Sequence, residues 1–250
     1  MIINSLTNKK IKDLVKLKDV KNVKKLNKYL IDGEHLVKEA LKKNIVLEIF
    51  VEENKNFDFL LANKKIKITY ISRNVVKHLA DTKTPQGIFA ICKIEKTNYN
   101  FSDFENIVIL DRVQDPGNLG TIIRTACAFG YSCVVLGDGC CNLYNQKVLR
   151  SMQGSNFHIP IIEENIFTLI EKIKKDFTIY ATSLKTDYYM EDIKFKKEKF
   201  AVIFGNEANG VDNKILDLVD KHLKIKMLGS AESLNVSTSS AIVMHYLKNI

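Results

Sequence analysis

From residue 106 onward, short and continuous apolar runs alternate with stretches whose apolar residues recur at helical spacing. Strands that are apolar throughout and alternate with helices predict a parallel sheet covered on both faces. Ligands of such sheets bind beyond the carboxyl ends of the strands. The segments that follow the strands are therefore candidate sites: Asp111–Gly120, Gly137–Asn142, Ser183–Thr186, Gly205–Gly210 and Gly229–Asn235.

A smaller alternation of the same kind precedes this one, beginning near residue 29. YLID predicts a strand, Asp32–Gly33 a turn, and EHLVKEALKK a helix with one apolar face. VLEIFVEE, IKITYIS and GIFAICKI are predicted strands, whereas FDFLLANKK and NVVKHLA are predicted helices. The periodicity is lost over residues 94–105, which we interpret as a linker. We therefore expect two α/β domains, residues 1–95 and residues 105–250.

The composition is that of a globular protein, with 46% hydrophobic and 27% charged residues among 250. No apolar run approaches the roughly 20 residues that span a bilayer, so we expect no membrane partner. Five cysteines without a C-x-x-C pair fit reduced thiols and a cytoplasmic location better than a disulfide framework. Because the adjacent Cys140 and Cys141 have no nearby partner pair, we also expect no metal site.

The positive charge is concentrated at the start of the chain. The net charge is +9, and nine lysines occur in the first thirty residues against two aspartates. Such an excess attracts polyanions and makes binding depend on salt, which favours nucleic acid as a partner. The alternative is a solvated lysine surface. Charge alone does not distinguish RNA from DNA or from a membrane.

Small polar residues crowd the start of the closing helix, in ESLNVSTSSAIVM. One capping residue is enough to begin a helix. The surplus indicates either several caps or a surface for a polar ligand. Taken alone, the stretch favours capping.

The glycines of VVLGDGCCN resemble the start of a nucleotide-binding loop, which would fit a dehydrogenase with a Rossmann fold. Such a loop requires a third glycine and an acidic residue at the end of the next strand. The third glycine is missing and Glu163 is out of register. We therefore interpret Gly137 and Gly139 as turn glycines.

Two further strand-following segments carry candidate site residues. FGNEANG combines glycines with Asn206, Glu207 and Asn209, and its alternative interpretation is an ordinary capped turn. DPGNLGTIIRTACAFG lacks the G-K-[ST] ending of a phosphate loop, which disfavours a nucleoside triphosphatase. Arg124 lies in its apolar helix, and it fits either an interface ion pair or an arginine directed at phosphate.

Taken together and in chain order, three segments resemble the motifs of the SpoU (TrmH-like) branch of the SPOUT RNA methyltransferases. They are NLGTIIRTA, FGNEANGV and IKMLGSAESLNVSTSSAI, within about residues 105–250. The first half resembles the L30e-like substrate-binding domain, in YLIDGEHLVKEAL and DTKTPQGIFAI. The third motif departs from the family at Lys226, where proline is usual, and at Thr238–Ser239, where valine and alanine are usual.

The resemblance implies a 2′-O-ribose methyltransferase that uses S-adenosylmethionine and acts on RNA, ribosomal more than transfer RNA. It implies a homodimer whose parallel-sheet domain contains a deep trefoil knot. The catalytic residues that it implies are Asn118, Arg124, Glu207, Ser233 and Asn235. The cofactor-binding residues that it implies are Ser183, Leu184, Gly205, Asn206, Ile225, Met227, Ser233 and Leu234. The alternative is a non-catalytic RNA-binding protein of the same architecture.

Overall fold

A computed structural model of the protein describes residues 2–63, 65–95, 98–193 and 199–249. The strands are β1 (Ile2–Ile3), β2 (Lys28–Asp32), β3 (Val46–Glu52), β4 (Lys67–Ile71), β5 (Ile88–Lys93), β6 (Asn106–Leu110), β7 (Cys133–Leu136), β8 (Ile161–Glu163), β9 (Thr178–Thr182), β10 (Phe200–Phe204) and β11 (Lys221–Leu223). The helices are α1 (Lys9–Lys16), α2 (Val20–Leu26), α3 (Glu34–Lys42), α4 (Arg73–Leu79), α5 (Pro116–Ala128), α6 (Gln146–Met152), α7 (Ile166–Ile173), α8 (Asn213–Leu216) and α9 (Val236–Asn249).

The chain forms two compact units. Unit 1 comprises Met1–Thr97 and Asn142–Phe157, and unit 2 comprises Asn98–Cys141 and His158–Ile250. The described part of the predicted linker carries a short 3₁₀ turn, Phe101–Asp103, whereas Lys96 and Thr97 lie outside the described residues. None of the helices that the structure describes is both long and apolar enough to cross a bilayer.

Unit 1 is built on a mixed sheet in the order β1-β4-β3-β5-β2, in which β5 runs antiparallel to both of its neighbours. Helices α1 and α4 pack through buried apolar side chains against one face of this sheet, where Phe50 and Phe89 lie. The strands predicted for this half of the chain and the helices α3 and α4 are confirmed.

One predicted helix of unit 1 is wrong. FDFLLANKK forms only a 3₁₀ turn, Asp58–Leu60. The rings of Phe57 and Phe59 pack on each other, with centroids 6.0 Å apart, and Leu61 stays 75% exposed. The segment therefore has no continuous apolar face to bury, and burial of such a face is what stabilises most short helices.

The lysine-rich start of the chain folds as α1 and α2. Ile11, Leu14, Leu17 and Val23 are buried, while most of the lysines between them face solvent. The side chains of the residues before each helix, Asn8 and Asp19, accept hydrogen bonds from backbone amides of the first turn.

The segment Asn142–Phe157 completes unit 1 from far along the sequence. Its helix α6 is held by a hydrogen bond from Gln146 Nε2 to the carbonyl oxygen of Leu30 at 3.0 Å. Arg150 Nη1 also lies 3.2 Å from Asp81 Oδ2. Helix α6 therefore contributes to the core of unit 1, although its sequence neighbours on both sides belong to unit 2.

Unit 2 is built on six parallel strands in the order β11-β9-β10-β6-β7-β8, which confirms the predicted parallel sheet. Helix α7 packs on one face with the inward side chains of β6, β7, β9 and β10. Helices α5 and α9 lie side by side and bury apolar residues such as Ile122 and Met244. The two-faced cover explains why the central strands are apolar at nearly every position.

Candidate functional site

A cleft of about 280 Å³ lies at the carboxyl ends of β9, β10 and β11. Parts of the segments 182–185, 205–216, 223–227 and 233–239 line it. The structure thus brings together all eight residues that the resemblance implies for cofactor binding: Ser183, Leu184, Gly205, Asn206, Ile225, Met227, Ser233 and Leu234. The cleft opens where ligands of parallel sheets bind.

The loop after β10 folds back on itself at Gly205. A Cβ atom on Gly205 would lie 2.0 Å from the carbonyl carbon of Gly210 and 2.0 Å from the nitrogen of Val211, so only glycine fits. The backbones of Asn206 and Gly210 exchange two hydrogen bonds of 2.9 and 3.0 Å. Gly210 has a φ of +67°, a conformation that glycine adopts at no steric cost. The loop is therefore a rigid wall of the cleft.

Glu207 connects this loop to the start of α5. Its Oε1 accepts hydrogen bonds from the amide of Asp115 at 3.0 Å and from Asn118 Nδ2 at 3.1 Å. Its Oε2 accepts from the amide of Gln114 at 3.3 Å. Burial acts to raise the pKa of Glu207, but the hydrogen bonds from Asn118 and the backbone outweigh it and lower the pKa below its usual value. Glu207 is therefore an ionised acceptor at neutral pH.

Asn235 connects the same asparagine to α9. Its Nδ2 donates to Asn118 Oδ1 at 3.0 Å. Its Oδ1 accepts from the amides of Ser237 at 2.9 Å and Thr238 at 3.4 Å, as an N-terminal cap does. One side chain therefore performs both roles considered for the polar cluster, capping and contact with the site.

Some hydroxyl groups of this polar cluster form bonds within α9, whereas another faces the cleft. Ser239 Oγ donates to the carbonyl of Val236 at 3.0 Å, and the buried Ser240 Oγ donates to that of Ser237 at 2.9 Å. These bonds are internal to the helix. Ser233 lines the cleft, and its hydroxyl has no hydrogen-bond partner among the residues that the structure describes. It is available to a ligand.

Asp111 and Arg112, which follow β6, form hydrogen bonds that stabilise the loop after β10. Arg112 has a φ of +54°, and its guanidinium donates two hydrogen bonds of 2.9 Å to the buried carboxylate of Asp111. Asp111 Oδ2 also accepts from the amide of Asp212 at 2.8 Å, and the carbonyl of Arg112 accepts from Asn206 Nδ2 at 2.9 Å. Residues after β6 and after β10 therefore hold each other in one arrangement.

Arg124 does not join this network. It is exposed on α5, with no hydrogen bond or ion pair to the described residues. Six helical residues separate it from Asn118, which places it about 9 Å further along the axis and on another side of the helix. Thr121, Arg124 and Ala128 form an exposed stripe on α5.

The glycines after β7 occupy structural positions. A Cβ on Gly137 would lie 2.5 Å from the side chain of Ile166, and Gly139 has a φ of +84°. Close packing and a left-handed turn account for both glycines. No group of three or more His, Cys, Asp or Glu residues lies close enough to hold a metal ion in the described ranges.

Some residues of the site were not predicted. Asp111 and Arg112 lie in the segment that follows β6, but the resemblance does not imply a role for either. A charged pair directly after a buried strand is the feature of the sequence that could have indicated their role. Lys224 and Val236 also line the cleft, and their spacing in the sequence gives no indication of it.

The comparisons with known proteins agree with this geometry. Residues 105–245 match the SpoU rRNA Methylase family. The chain belongs to this family. Residues 8–90 match the MRM3-like substrate binding domain. The family membership excludes the dehydrogenase alternative that was considered for the glycines after β7.

Similar proteins extend over nearly the whole chain. A 23S rRNA (guanosine(2553)-2′-O)-methyltransferase of Bacillus subtilis, RlmP, is 40% identical over 248 residues, which are 98% of each chain. The crystal structure of an AdoMet-bound rRNA methyltransferase from Sinorhizobium meliloti has a TM-score of 0.88 at 26% identity, over 98% of this chain and 96% of that one. An RNA 2′-O ribose methyltransferase structure has a TM-score of 0.86 at 26% identity, over 98% and 97%.

Proposed function

We propose that the protein is an S-adenosylmethionine-dependent 2′-O-ribose methyltransferase that acts on ribosomal rather than transfer RNA. The observation that carries the proposal is the hydrogen-bond chain from Glu207 through Asn118 to Asn235, at the rim of a cleft at the carboxyl ends of the strands. The relative from Bacillus subtilis, 40% identical over 98% of the chain, supports ribosomal RNA as the substrate class.

The residues of the cleft fit S-adenosylmethionine. Leu184, Ile225, Met227 and Leu234 supply apolar surface for an adenine ring, and Ser233 supplies a hydroxyl. The volume of the cleft, about 280 Å³, is near the lower end of the range for small-molecule sites. The sulfonium of the cofactor carries an activated methyl group, so that the protein has mainly to position the acceptor.

The chain of amides positions the ribose 2′-hydroxyl. Ionised Glu207 accepts from Asn118 Nδ2 and thereby directs Asn118 Oδ1 towards Asn235. An asparagine amide has two N–H donors, and Asn235 uses one of them in this bond. The second N–H and the hydroxyl of Ser233 are available to hold the substrate.

Arg124 supplies the cationic part of a site, either that of its own subunit or that of the partner subunit in a homodimer. A guanidinium has a pKa above about 12 and is a poor base, so Arg124 holds a substrate phosphate and stabilises the developing alkoxide. A phosphate oxygen or a water takes the proton. The exposed, unpaired state of Arg124 in the described structure supports a role towards a bound molecule.

The proposal includes the assembly and the place of action. The exposed stripe on α5 supports a homodimer, and the family resemblance supports a deep trefoil knot in the segment that ends in α9. Residues 1–95 carry RNA binding and residues 105–250 carry catalysis. The relative from Bacillus subtilis, which modifies bacterial ribosomal RNA, supports a cytoplasmic location.

Methyl transfer from tritiated S-adenosylmethionine tests the proposal. The acceptors are a 23S rRNA transcript, a 16S rRNA transcript and bulk transfer RNA, followed by mapping of nucleotides whose 3′ bond resists alkali. We expect label in ribosomal RNA at one ribose. Label in transfer RNA alone would contradict the substrate class. Binding of RNA with no transfer to any acceptor would favour the non-catalytic RNA-binding alternative.

A further inference from the structure

Lysine and tyrosine side chains form a cluster beside the cleft, made of Tyr188, Tyr189, Lys221, Lys224 and Lys226 and called here the lysine–tyrosine rim. The ammonium groups of Lys224 and Lys226 each lie 6.0 Å from the centroid of the Tyr189 ring. That of Lys221 lies 6.0 Å from the centroid of the Tyr188 ring. Each of the three ammonium groups therefore lies over a tyrosine ring, and two of them share the ring of Tyr189.

The backbone keeps this cluster in place. The segment around Tyr189 pairs with Lys224 as a short parallel bridge beyond β11. The amide of Lys224 donates to the carbonyl of Tyr188 at 3.1 Å, and the amide of Met190 donates to the carbonyl of Lys224 at 3.0 Å. The amide of Tyr189 also donates to the carboxylate of Asp192 at 3.0 Å. Local hydrogen bonds thus fix the backbone from which the two rings and the side chain of Lys224 extend.

The charges of the rim are not neutralised internally. None of its three lysines forms an ion pair with a carboxylate in the part of the chain that the structure describes. Lysines elsewhere in the protein do, as Lys172 with Glu164 at 2.9 Å. Like charges held close together repel one another, and an anion that binds between them relieves this repulsion.

The position of the rim relative to the cleft indicates which anion binds. Ile225 and Met227 line the cleft, whereas Lys226 between them reaches the ring of Tyr189. In an extended segment, successive side chains point to opposite sides. Lys226 therefore faces away from the interior of the cleft, and the rim meets the cleft at Lys224, which lines it. Phosphates that flank a ribose bound at this edge would lie at the rim.

We propose that the lysine–tyrosine rim binds phosphates of the RNA strand on either side of the nucleotide that is methylated at the edge of the cleft. This inference rests on the proposed function and adds to it a contact surface on unit 2. Lys226, which departs from the usual proline of the resembling family, gives this chain a charge of its own at that place.

The experiment compares RNA binding by two charge-matched double variants. Lys221→Gln/Lys226→Gln removes two charges from the rim and leaves Lys224, which lines the cleft, unchanged. Lys174→Gln/Lys175→Gln removes two exposed charges that follow α7, and it serves as the control. Filter binding of a 23S rRNA transcript over a range of salt concentrations gives the affinity and its salt dependence, independently of methyl transfer. Titration with S-adenosylmethionine gives cofactor affinity.

We expect the rim variant to bind RNA at least about fivefold more weakly than wild type. The slope of log K against log salt should fall by about 1.4, because each single-strand phosphate contact contributes about 0.7. Cofactor affinity should change less than about twofold, and Lys221→Arg/Lys226→Arg should restore the slope. The control should keep the wild-type slope.

Two outcomes would contradict the proposal that the rim binds RNA phosphates. One is a slope equal to that of the control, and the other is a loss of cofactor affinity that parallels the loss of RNA affinity, which would place the charges in the cofactor cleft. Failure of the proposed function is separate from both. Wild-type protein that binds RNA without transferring a methyl group would contradict the function and leave the rim supported by its slope.

Discussion

Asn118 and Asn235 lie 117 positions apart in the chain, yet their side chains share a hydrogen bond of 3.0 Å. The direction of this bond is determined by Glu207, since a carboxylate can only accept and must receive Asn118 Nδ2. Asn118 then presents its oxygen to Asn235. The three segments that resemble the family motifs are thus connected through two hydrogen bonds between side chains.

Asn235→Ser separates the capping role of this asparagine from its contact with Asn118. Serine caps helices about as well as asparagine, but its side chain is too short to reach Asn118. We expect the melting temperature of Asn235→Ser to remain close to wild type while methyl transfer falls at least about tenfold. Asn235→Ala should in addition lose about 1 kcal/mol of unfolding free energy. Equal losses of stability and activity in the serine variant would favour capping as the only role.

Arg124→Ala should bind S-adenosylmethionine and remain dimeric, yet transfer methyl groups at least about a hundredfold more slowly. Arg124→Lys should recover little, because lysine keeps the charge but loses the planar fork that binds phosphate in a bidentate manner. Turnover kinetics and light scattering measure the two properties. Dissociation of Arg124→Ala into monomers would favour an interface ion pair, and near-normal turnover in a dimer would exclude catalysis.

Gly205→Ala should disrupt the wall of the cleft. The new Cβ would lie 2.0 Å from backbone atoms of Gly210 and Val211, and backbone cannot move aside as a flexible side chain can. We expect cofactor affinity to fall at least tenfold and stability by more than about 2 kcal/mol. Gly229→Ala is the matched control, because a Cβ there meets no atom within 4 Å. Calorimetric titration and thermal melting measure both variants, and an intact affinity in Gly205→Ala would contradict the packing argument.

The sequence predicted the parallel sheet and the place of the cleft because both follow from local patterns. Apolar runs such as FAVIF report burial on both faces, and the carboxyl ends of parallel strands meet at one edge. It did not predict the left-handed backbone of Arg112, whose φ of +54° is held by the carboxylate of Asp111 and by contacts with Asn206. Asp111 is adjacent to Arg112, but Asn206 is 94 positions away, and a contact over that distance leaves no local pattern in the sequence.

The buried carboxyl group of Asp32 makes the stability of unit 1 depend on pH. Burial raises its pKa to about 6; Arg150 opposes this rise, Asp81 adds to it and Lys18 opposes it. The folded state therefore keeps its proton to higher pH than the unfolded chain, so stability from this group is highest below about pH 4 and is lost as pH rises through about 6.

Asp32→Asn should remove this dependence. We expect the variant to gain stability over wild type between about pH 4 and pH 6, reaching roughly 3 kcal/mol at neutral pH. Urea unfolding of both proteins across that range measures the difference. A difference that is constant with pH would show that Asp32 does not titrate in the folded protein.

The lysines of α1 and α2 should raise RNA affinity without affecting the cofactor. Lys9→Gln/Lys12→Gln removes two exposed charges from one side of α1, and we expect weaker RNA binding with a flatter salt dependence. Lys174→Gln/Lys175→Gln is again the control. Deletion of residues 1–95 is a poorer test, because it would expose apolar residues of α6 that are buried in unit 1. RNA binding equal to the control would leave these lysines as a solvated surface.

The amphipathic helix α1 shows why the charged start of the chain was harder to interpret. Ile11 and Leu14 are buried in α1 and Leu17 directly follows it, but the positions between them include Lys12, Asp13 and Lys16. The apolar side is narrow, and it becomes recognisable only once β3 and α4 supply the surface that it covers. Conversely, FDFLLANKK has enough apolar residues for a helix but no surface to receive them.

The chain passes between the two units three times, near residues 97, 141 and 157. During synthesis, unit 1 is therefore incomplete until helix α6 has been made, and α6 follows β6 and β7 of unit 2 in the chain. Domains usually fold in the order in which they leave the ribosome. Here the earlier unit cannot close its core until part of the later one has emerged, so the two halves mature together rather than in succession.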